Sequence, residues 1–332
     1  MTVSPWSLRA AASNAARKLV YGHVADLRPM PARPVGDGPV HRYRGPEGVV
    51  AAGPPVLLVP SPSMPARCFD LRRGCSLAEH VVSAGRMGYL LDHGTDGPGD
   101  DAATWVGEVL PEAIRAVSRD ASGQPVQLVG WCLGGLYSLL AAAVDPGLPV
   151  ASVAMVATPA QAPEPGAGRP APGRLRRDVR ALANIDDAEF LAQAEAVDHF
   201  YALASASPRR PAGEVYADLC GGGGAVVGAG GRPVALDTVR VPVLAVAGRS
   251  DTLAPFDAVR PFMRLLPNAP EVRLTSVPGG HLGALTGLAA RTTTWAWLDR
   301  WLDEGILRHG IRPRPRRAAA GRSGGRGPAS AL

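Results

Sequence analysis

Residues 125–144 read PVQLVGWCLGGLYSLLAAAV, and this stretch decides the fold of the chain. The run at 125–129 is apolar and rich in β-branched residues, which predicts a buried strand. The run at 136–143 is apolar on every side, which predicts a buried helix. Between them, Gly130 and Gly134 stand two positions before and after Cys132. The stretch therefore predicts a strand, a sharp turn with a cysteine at its tip, and a helix.

The turn has the spacing G-x-nucleophile-x-G that is typical of α/β hydrolases, with cysteine in the place of the usual serine. A nucleophile on a strained strand-to-helix corner leaves little room for side chains two positions away, and Gly130 and Gly134 meet that limit. With 40 glycines in 332 residues, the spacing can also arise by chance. The motif therefore needs support from elsewhere in the chain.

Two further residues supply that support. The apolar run at 241–248 predicts a buried strand that leads to Asp251, and the alternating run at 271–277 predicts a strand that leads to His281. Both side chains would lie on loops after the carboxyl ends of strands, where open parallel sheets hold their sites. The chain order of nucleophile, acid and histidine is also that of α/β hydrolases.

The chemistry of a cysteine nucleophile requires all three residues. A free thiol is mostly protonated at neutral pH, so Cys132 needs a neighbouring imidazole, and His281 is the candidate base. Asp251 would fix the tautomer of that imidazole and stabilise its charged form. Each residue also has a purely structural interpretation, with Cys132 in the core, Asp251 as a helix cap and His281 in a loop. The three together favour a catalytic site.

An oxyanion hole should come from the backbone N–H of Leu133 and from a second N–H in the loop at 60–64, which follows an apolar strand at 55–59. The two prolines of that loop have no N–H to donate. The remaining candidates are Ser61, Ser63 and Met64.

Strands and helices alternate through most of the chain, which predicts an α/β protein with the α/β-hydrolase fold, a doubly wound and mostly parallel sheet. Val40 to Arg44 is expected to form an edge strand, and Ser76 with Glu79 predicts a capped helix start. The pattern breaks in a Pro- and Gly-rich region that we interpret as a small lid. The expected parts are an N-terminal helix and linker at 1–38, the first part of the core at 39–159, the lid insertion at 160–240, the second part of the core at 241–307 and a disordered basic tail at 308–332.

Composition narrows the classes of protein. No apolar run approaches the roughly 20 residues that span a bilayer, and the first residues lack a secretion signal, so we expect no transmembrane segment and a cytoplasmic location. Four cysteines without C-x-x-C spacing predict neither a metal site nor a disulfide framework. The net charge is +6, but residues 308–332 hold seven arginines and no acid, so the body is nearly neutral. We therefore do not expect a nucleic-acid partner.

With these residues placed, the chain resembles the polyhydroxyalkanoate (PHA or PHB) synthase family, in its short catalytic-subunit form with a reduced lid. The resemblance covers roughly residues 39–303. It is carried by Asp70-Leu71, the G-x-C-x-G-G box at 130–135, Thr158-Pro159, G-x-x-D-x-x-x-P at 248–255 and G-G-H-x-G at 279–283.

The resemblance implies an acyltransferase of PHB biosynthesis. Its cysteine, here Cys132, takes a 3-hydroxyacyl group from coenzyme A, and His281 with Asp251 activates the attacking group. It implies no cofactor beyond the coenzyme A thioester substrate, a homodimer or an accessory synthase subunit as partner, and association with polyester granules. Two alternatives remain open: an intracellular polyester depolymerase, esterase or thioesterase on the same core, and a non-catalytic granule-associated binding protein.

Overall fold

A computed structural model describes residues 5–94, 101–161, 181–206, 215–216 and 234–308. The expected lid insertion at 160–240 is thus described only in part. Of the expected tail at 308–332, all but Arg308 lies outside the described residues. The proposed division into these parts stays a prediction.

The core of the described chain is one eight-stranded sheet in the order β1-β2-β4-β3-β5-β6-β7-β8. β1 and β2 are antiparallel to their neighbours, and all other pairs are parallel. This confirms the expected mostly parallel, doubly wound class. The strands are β1 (Ala32–Pro34), β2 (Val40–Tyr43), β3 (Val56–Val59), β4 (Gly88–Leu91), β5 (Val126–Trp131), β6 (Val150–Val156), β7 (Val243–Gly248) and β8 (Val272–Val277).

Helices cover both faces of the sheet. The described α-helices are α1 (Pro5–Tyr21), α2 (Leu77–Ser83), α3 (Ala102–Thr104), α4 (Leu110–Asp120), α5 (Leu133–Val144), α6 (Ala188–Ser205), α7 (Phe256–Val259), α8 (Phe262–Leu265), α9 (Gly283–Thr286) and α10 (Thr294–Arg308). One π-helical turn at Trp105–Val109 joins α3 to α4. Short 3-10 turns lie at Ala66–Phe69, Leu236–Thr238 and Leu288–Arg291.

The sequences of the central strands follow from their burial. Every residue of β3, β5, β6 and β7 is buried, because helices cover both faces of a parallel sheet. Such strands are mostly apolar rather than alternating, and Gln127 and Ser152 are the polar exceptions in these four. α5 packs against β5 and β6 and is buried through its whole length except Val144, which accounts for its apolar sequence.

Two local expectations had different outcomes. The capped start of α2 is confirmed, since Ser76 Oγ accepts a hydrogen bond of 3.0 Å from the Glu79 N–H. The expectation that Val40 to Arg44 forms an edge strand is wrong. β2 lies between β4 and the short strand β1, because Pro31–Arg44 forms a hairpin that the sequence did not reveal.

No helix in the described part of the chain is long and apolar enough to cross a membrane.

Candidate active site

Cys132 lies at the tip of a sharp turn between β5 and α5. Its backbone has φ 55° and ψ −125°, a left-handed conformation that costs about 1–3 kcal/mol for a residue with a side chain. A Cβ on Gly130 would overlap the backbone of Gly135, and a Cβ on Gly134 would overlap the carbonyl oxygens of Val59 and Pro60. The expected strand, turn and helix are present, and the two glycines are required by close backbone packing.

Hydrogen bonds to neighbouring strands hold this strained backbone. The Cys132 N–H donates to Val156 O at 3.0 Å, and the Thr158 hydroxyl donates to Cys132 O at 3.0 Å. Thr158 is fully buried. In the sequence, only the family resemblance drew attention to Thr158. In the structure, its hydroxyl stabilises the turn through the hydrogen bond to Cys132 O.

Asp251 and His281 lie against each other, although 30 residues separate them. His281 Nδ1 is 2.9 Å from Asp251 Oδ2. The loops that carry them are tied by a hydrogen bond of 3.0 Å from the Ser250 N–H to Gly279 O. Gly279 has φ 119°, a conformation that favours glycine.

The two oxygens of Asp251 have separate partners. Oδ1 accepts hydrogen bonds from the N–H groups of Leu253 at 2.8 Å and Ala254 at 2.9 Å. Oδ2 is thereby left to the imidazole. The expectation that Asp251 caps a helix is wrong, because the following helix has Pro255 as its N-cap and no side-chain cap; Asp251 instead bonds to its own turn, which fixes the carboxylate that faces His281.

The side chain of Cys132 also lies near His281, close enough for its charge to act on the imidazole. Since Nδ1 faces Asp251, Nε2 is the nitrogen available to the sulfur. Burial of the imidazole lowers the pKa of His281, but the negative charge of Cys132 and the Asp251 carboxylate raise it more, to about 10. The arrangement thus favours a charged imidazolium between the Asp251 carboxylate and the Cys132 sulfur.

Two aromatic residues that sequence reasoning did not single out enclose this pair. The Trp131 indole N–H donates to His281 O at 3.1 Å, and the two rings lie 5.1 Å apart. The Phe200 ring on α6 also lies against Trp131, with ring centroids 6.2 Å apart. Burial raises the pKa of the adjacent Tyr201, and the Asp251 charge adds to that rise. α6, from the expected lid, therefore lies over the site.

The site is secluded from solvent. Cys132 is 4% exposed, and the side chains of Asp251 and His281 are 0% and 14% exposed. Low exposure strengthens charge interactions among the three groups. A cysteine beside an imidazole can attack an acyl carbon, and the imidazole can then deliver a proton to the leaving group.

The candidate oxyanion loop runs beside the turn. Leu133 begins α5, so its N–H belongs to the helix end that lacks internal acceptors. The Met64 N–H donates to Ser61 O at 3.0 Å. The N–H groups of Ser61 and Ser63 have no acceptor among the described residues.

No group of three or more potential metal ligands occurs in the part of the chain that the structure describes.

Two curated proteins match most of the chain, whereas no family model matches it. The poly(3-hydroxyalkanoate) polymerase subunit PhaC of Allochromatium vinosum is 26% identical over 308 residues, which covers 80% of this chain and 85% of that protein. The protein of the same name from Thiocystis violacea is 25% identical over 307 residues, with the same coverage. The resemblance to polyhydroxyalkanoate synthases is thereby confirmed.

Solved structures place the fold. A proline iminopeptidase from Mycobacterium smegmatis has a TM-score of 0.51 at 21% identity and covers 84% of this chain and 100% of its own. An esterase from Thermogutta terrifontis has a TM-score of 0.50 at 18% identity, over 77% of this chain and 92% of its own. At such low identity these likenesses show the α/β-hydrolase fold alone.

Proposed function

We propose that the chain is an acyltransferase of the polyhydroxyalkanoate synthase type. Cys132 would take the acyl group of a 3-hydroxyacyl-CoA as a thioester and pass it to a hydroxyl acceptor. The observation that carries the proposal is a cysteine on a strained turn that lies near the hydrogen-bonded pair of His281 and Asp251. The two PhaC relatives support the choice of acyl donor.

The proposed reaction has two halves. The Cys132 thiolate attacks the thioester carbonyl, the carbon–sulfur bond to coenzyme A breaks, and the His281 imidazolium gives its proton to the departing thiolate. The acceptor hydroxyl then loses its proton to the neutral imidazole and attacks the acyl-cysteine, which restores the thiolate–imidazolium pair. Asp251 holds the imidazole throughout.

The oxyanion of each half would be held by backbone donors. We assign these to the Leu133 N–H and an N–H of the loop at 60–64. Met64, one of the expected donors, uses its N–H within the turn, which leaves Ser61 or Ser63 as the second donor. Each such donor is worth a factor of about 100–1,000 in rate in other acyl-transfer enzymes.

Partners and location follow from the same proposal. The substrate is a hydroxyacyl-CoA and the product a polyester. The proposed partner is a second copy of the chain or an accessory synthase subunit. The proposed location is cytoplasmic and associated with granules.

The test combines coenzyme A release with intact-protein mass spectrometry after mixing purified protein with 3-hydroxybutyryl-CoA. We expect release and an acyl adduct that lengthens with time, and loss of both in Cys132→Ala. Cys75→Ala is the matched control, since Cys75 is also buried but its thiol faces Thr286 O at 3.4 Å.

Free 3-hydroxybutyrate as the sole product would replace the transferase with a thioesterase. Coenzyme A release that persists in Cys132→Ala would overturn the assignment of the nucleophile. An absence of release, both alone and with added polyester, would favour a non-catalytic binding protein.

A further inference from the structure

Two serine hydroxyls in the loop after β3 are buried without a partner. Ser61 is 0% exposed and Ser63 is 8% exposed. Neither Oγ atom has a hydrogen-bond partner among the described residues. Buried hydroxyls are normally paired, because an unpaired one loses its bonds to water without replacement. The pair therefore points to a ligand that is polar where it meets this loop.

The loop lies beside the reactive sulfur. In the parallel pairing of β3 and β5, Val59 is opposite Gly130, so the chain reaches the level of Cys132 two residues later, at Ser61. The carbonyl of Pro60 also lies directly against Gly134, in the first turn of α5.

The far end of the loop returns to the same site. It leads into the 3-10 turn Ala66–Phe69, which packs against α9, the helix that follows His281. Burial raises the pKa of the Cys68 thiol in that turn, and the negative charge of Cys132 adds to the rise, which places the two sulfurs within electrostatic reach. Both ends of the loop are thus anchored around Cys132 and His281.

The backbone and the side chains of this loop can serve different atoms of one substrate. The backbone N–H groups suit the thioester oxygen, as proposed above. An oxyanion hole of backbone donors does not require the hydroxyls, so these remain available for another polar group close to the reacting carbonyl. A hydroxyl can act both as donor and as acceptor, and two serines can supply the complementary pair.

We propose that the hydroxyls of Ser61 and Ser63 form a subsite that binds the hydroxyl group of the hydroxyacyl chain on Cys132. This inference rests on the proposed function and names the residues that select a hydroxylated acyl group over a plain one. A plain acyl chain would leave both serines unpaired, and sites built to pair a substrate hydroxyl reject analogues that lack it.

The test compares single-turnover acylation of Cys132 by 3-hydroxybutyryl-CoA and by butyryl-CoA. The 3-hydroxyl takes no part in the exchange of thiols, so a preference for it reports binding and not chemistry. We expect the wild type to prefer the hydroxylated ester at least 10-fold. Ser61→Ala and Ser63→Ala should each lower this preference, and the double variant should reduce it to about 3-fold or less.

Ser152→Ala is the matched control. Ser152 is also buried, but its hydroxyl lies 3.4 Å from Gln127 Oε1, near the ends of β5 and β6 that are farther from Cys132. Removal of this hydroxyl should leave the preference unchanged. Iodoacetamide labelling of Cys132 should proceed at the same rate in all variants, which separates loss of the subsite from damage to the nucleophile.

Equal acylation of the wild type by both esters would overturn the subsite, and so would a preference that survives the double variant. Failure of both esters to acylate Cys132 would instead overturn the proposed function. The two failures are therefore distinguishable.

Discussion

The Asp251 carboxylate connects the backbone of one loop to the chemistry of another. One oxygen is fixed by two N–H groups of its own turn, and the other faces His281 Nδ1 at 2.9 Å. The carboxylate therefore needs no reorganisation when the imidazole becomes charged. At the residue scale, the charge state of His281 depends on Asp251 and on Cys132 together.

The Asp251→Asn variant tests this dependence. The raised pKa of His281, about 10, means that the imidazolium persists beside the Cys132 sulfur from neutral pH to near pH 10. Without the carboxylate the pKa of His281 falls, so the imidazolium is lost at a lower pH. We expect iodoacetamide labelling of Cys132 at pH 7 to slow by about 10-fold or more, because the amide of the variant neither fixes the tautomer of His281 nor stabilises its charge.

The pH profile adds a second check. The labelling rate of the variant should approach that of the wild type as the pH rises, because hydroxide can then remove the thiol proton in place of the imidazole. Asp257→Asn is the control, because Asp257 is exposed and, among the described residues, pairs only with the nearby Arg260, at 3.4 Å. Wild-type labelling at pH 7 in Asp251→Asn would contradict the role given to the carboxylate.

Among the elements, the turn between β5 and α5 has the tightest backbone packing at the site. We expect Gly134→Ala to lower the free energy of unfolding by about 3 kcal/mol or more, because the new Cβ would overlap the carbonyls of Val59 and Pro60 and displace a strand. Urea denaturation measures the change. Gly45→Ala should cost less than about 1 kcal/mol, since a Cβ at Gly45 meets open space. Equal losses in both variants would contradict the packing argument.

Sequence patterns predicted the elements that carry Cys132, Asp251 and His281 because each residue lies shortly after a strand with a clear pattern, a buried apolar run for the first two and an alternating one for His281. Period and turn chemistry are local signals, and they also gave the Ser76 cap. The hydrogen bond from Trp131 to His281 O joins residues 150 positions apart, and no local pattern encodes it. The placement of α6 over the site and of β1 beside β2 depends on tertiary packing in the same way. The orphan hydroxyls of the oxyanion loop became visible only once burial was known.

At the scale of the whole molecule, polar contacts join α10, the last described helix, to the first half of the chain. Asp299 on α10 accepts a hydrogen bond from Arg86 at 2.7 Å, and its other oxygen lies 2.9 Å from His80 Nε2 on α2. Arg86 also pairs with Asp303 at 2.8 Å and is only 6% exposed. Burial alone would raise the pKa of Asp299, but the bonds to His80 and Arg86 lower it below its usual range.

A depressed carboxylate pKa gives this brace a defined pH dependence. Its stability is present above the unfolded-state pKa and is lost as the pH falls through the lower, folded-state pKa. We expect Asp299→Asn to cost about 1–2 kcal/mol at pH 7, a value discounted for the partial exposure of Asp299. In urea denaturation, the difference from the wild type should shrink as the pH falls below about 4. A difference that stays constant down to pH 2 would contradict an electrostatic brace.

The contact between the rings of Trp131 and His281 also gives the site a fluorescence signal. A charged imidazole is an efficient quencher of indole fluorescence, and these rings are 5.1 Å apart. The emission lost in Trp131→Phe, subtracted from that of the wild type, isolates one chromophore from the six tryptophans of the chain. The fluorescence intensity of Trp131 would follow the protonation of the imidazole through each turnover. Proton transfer could therefore be monitored without an added label.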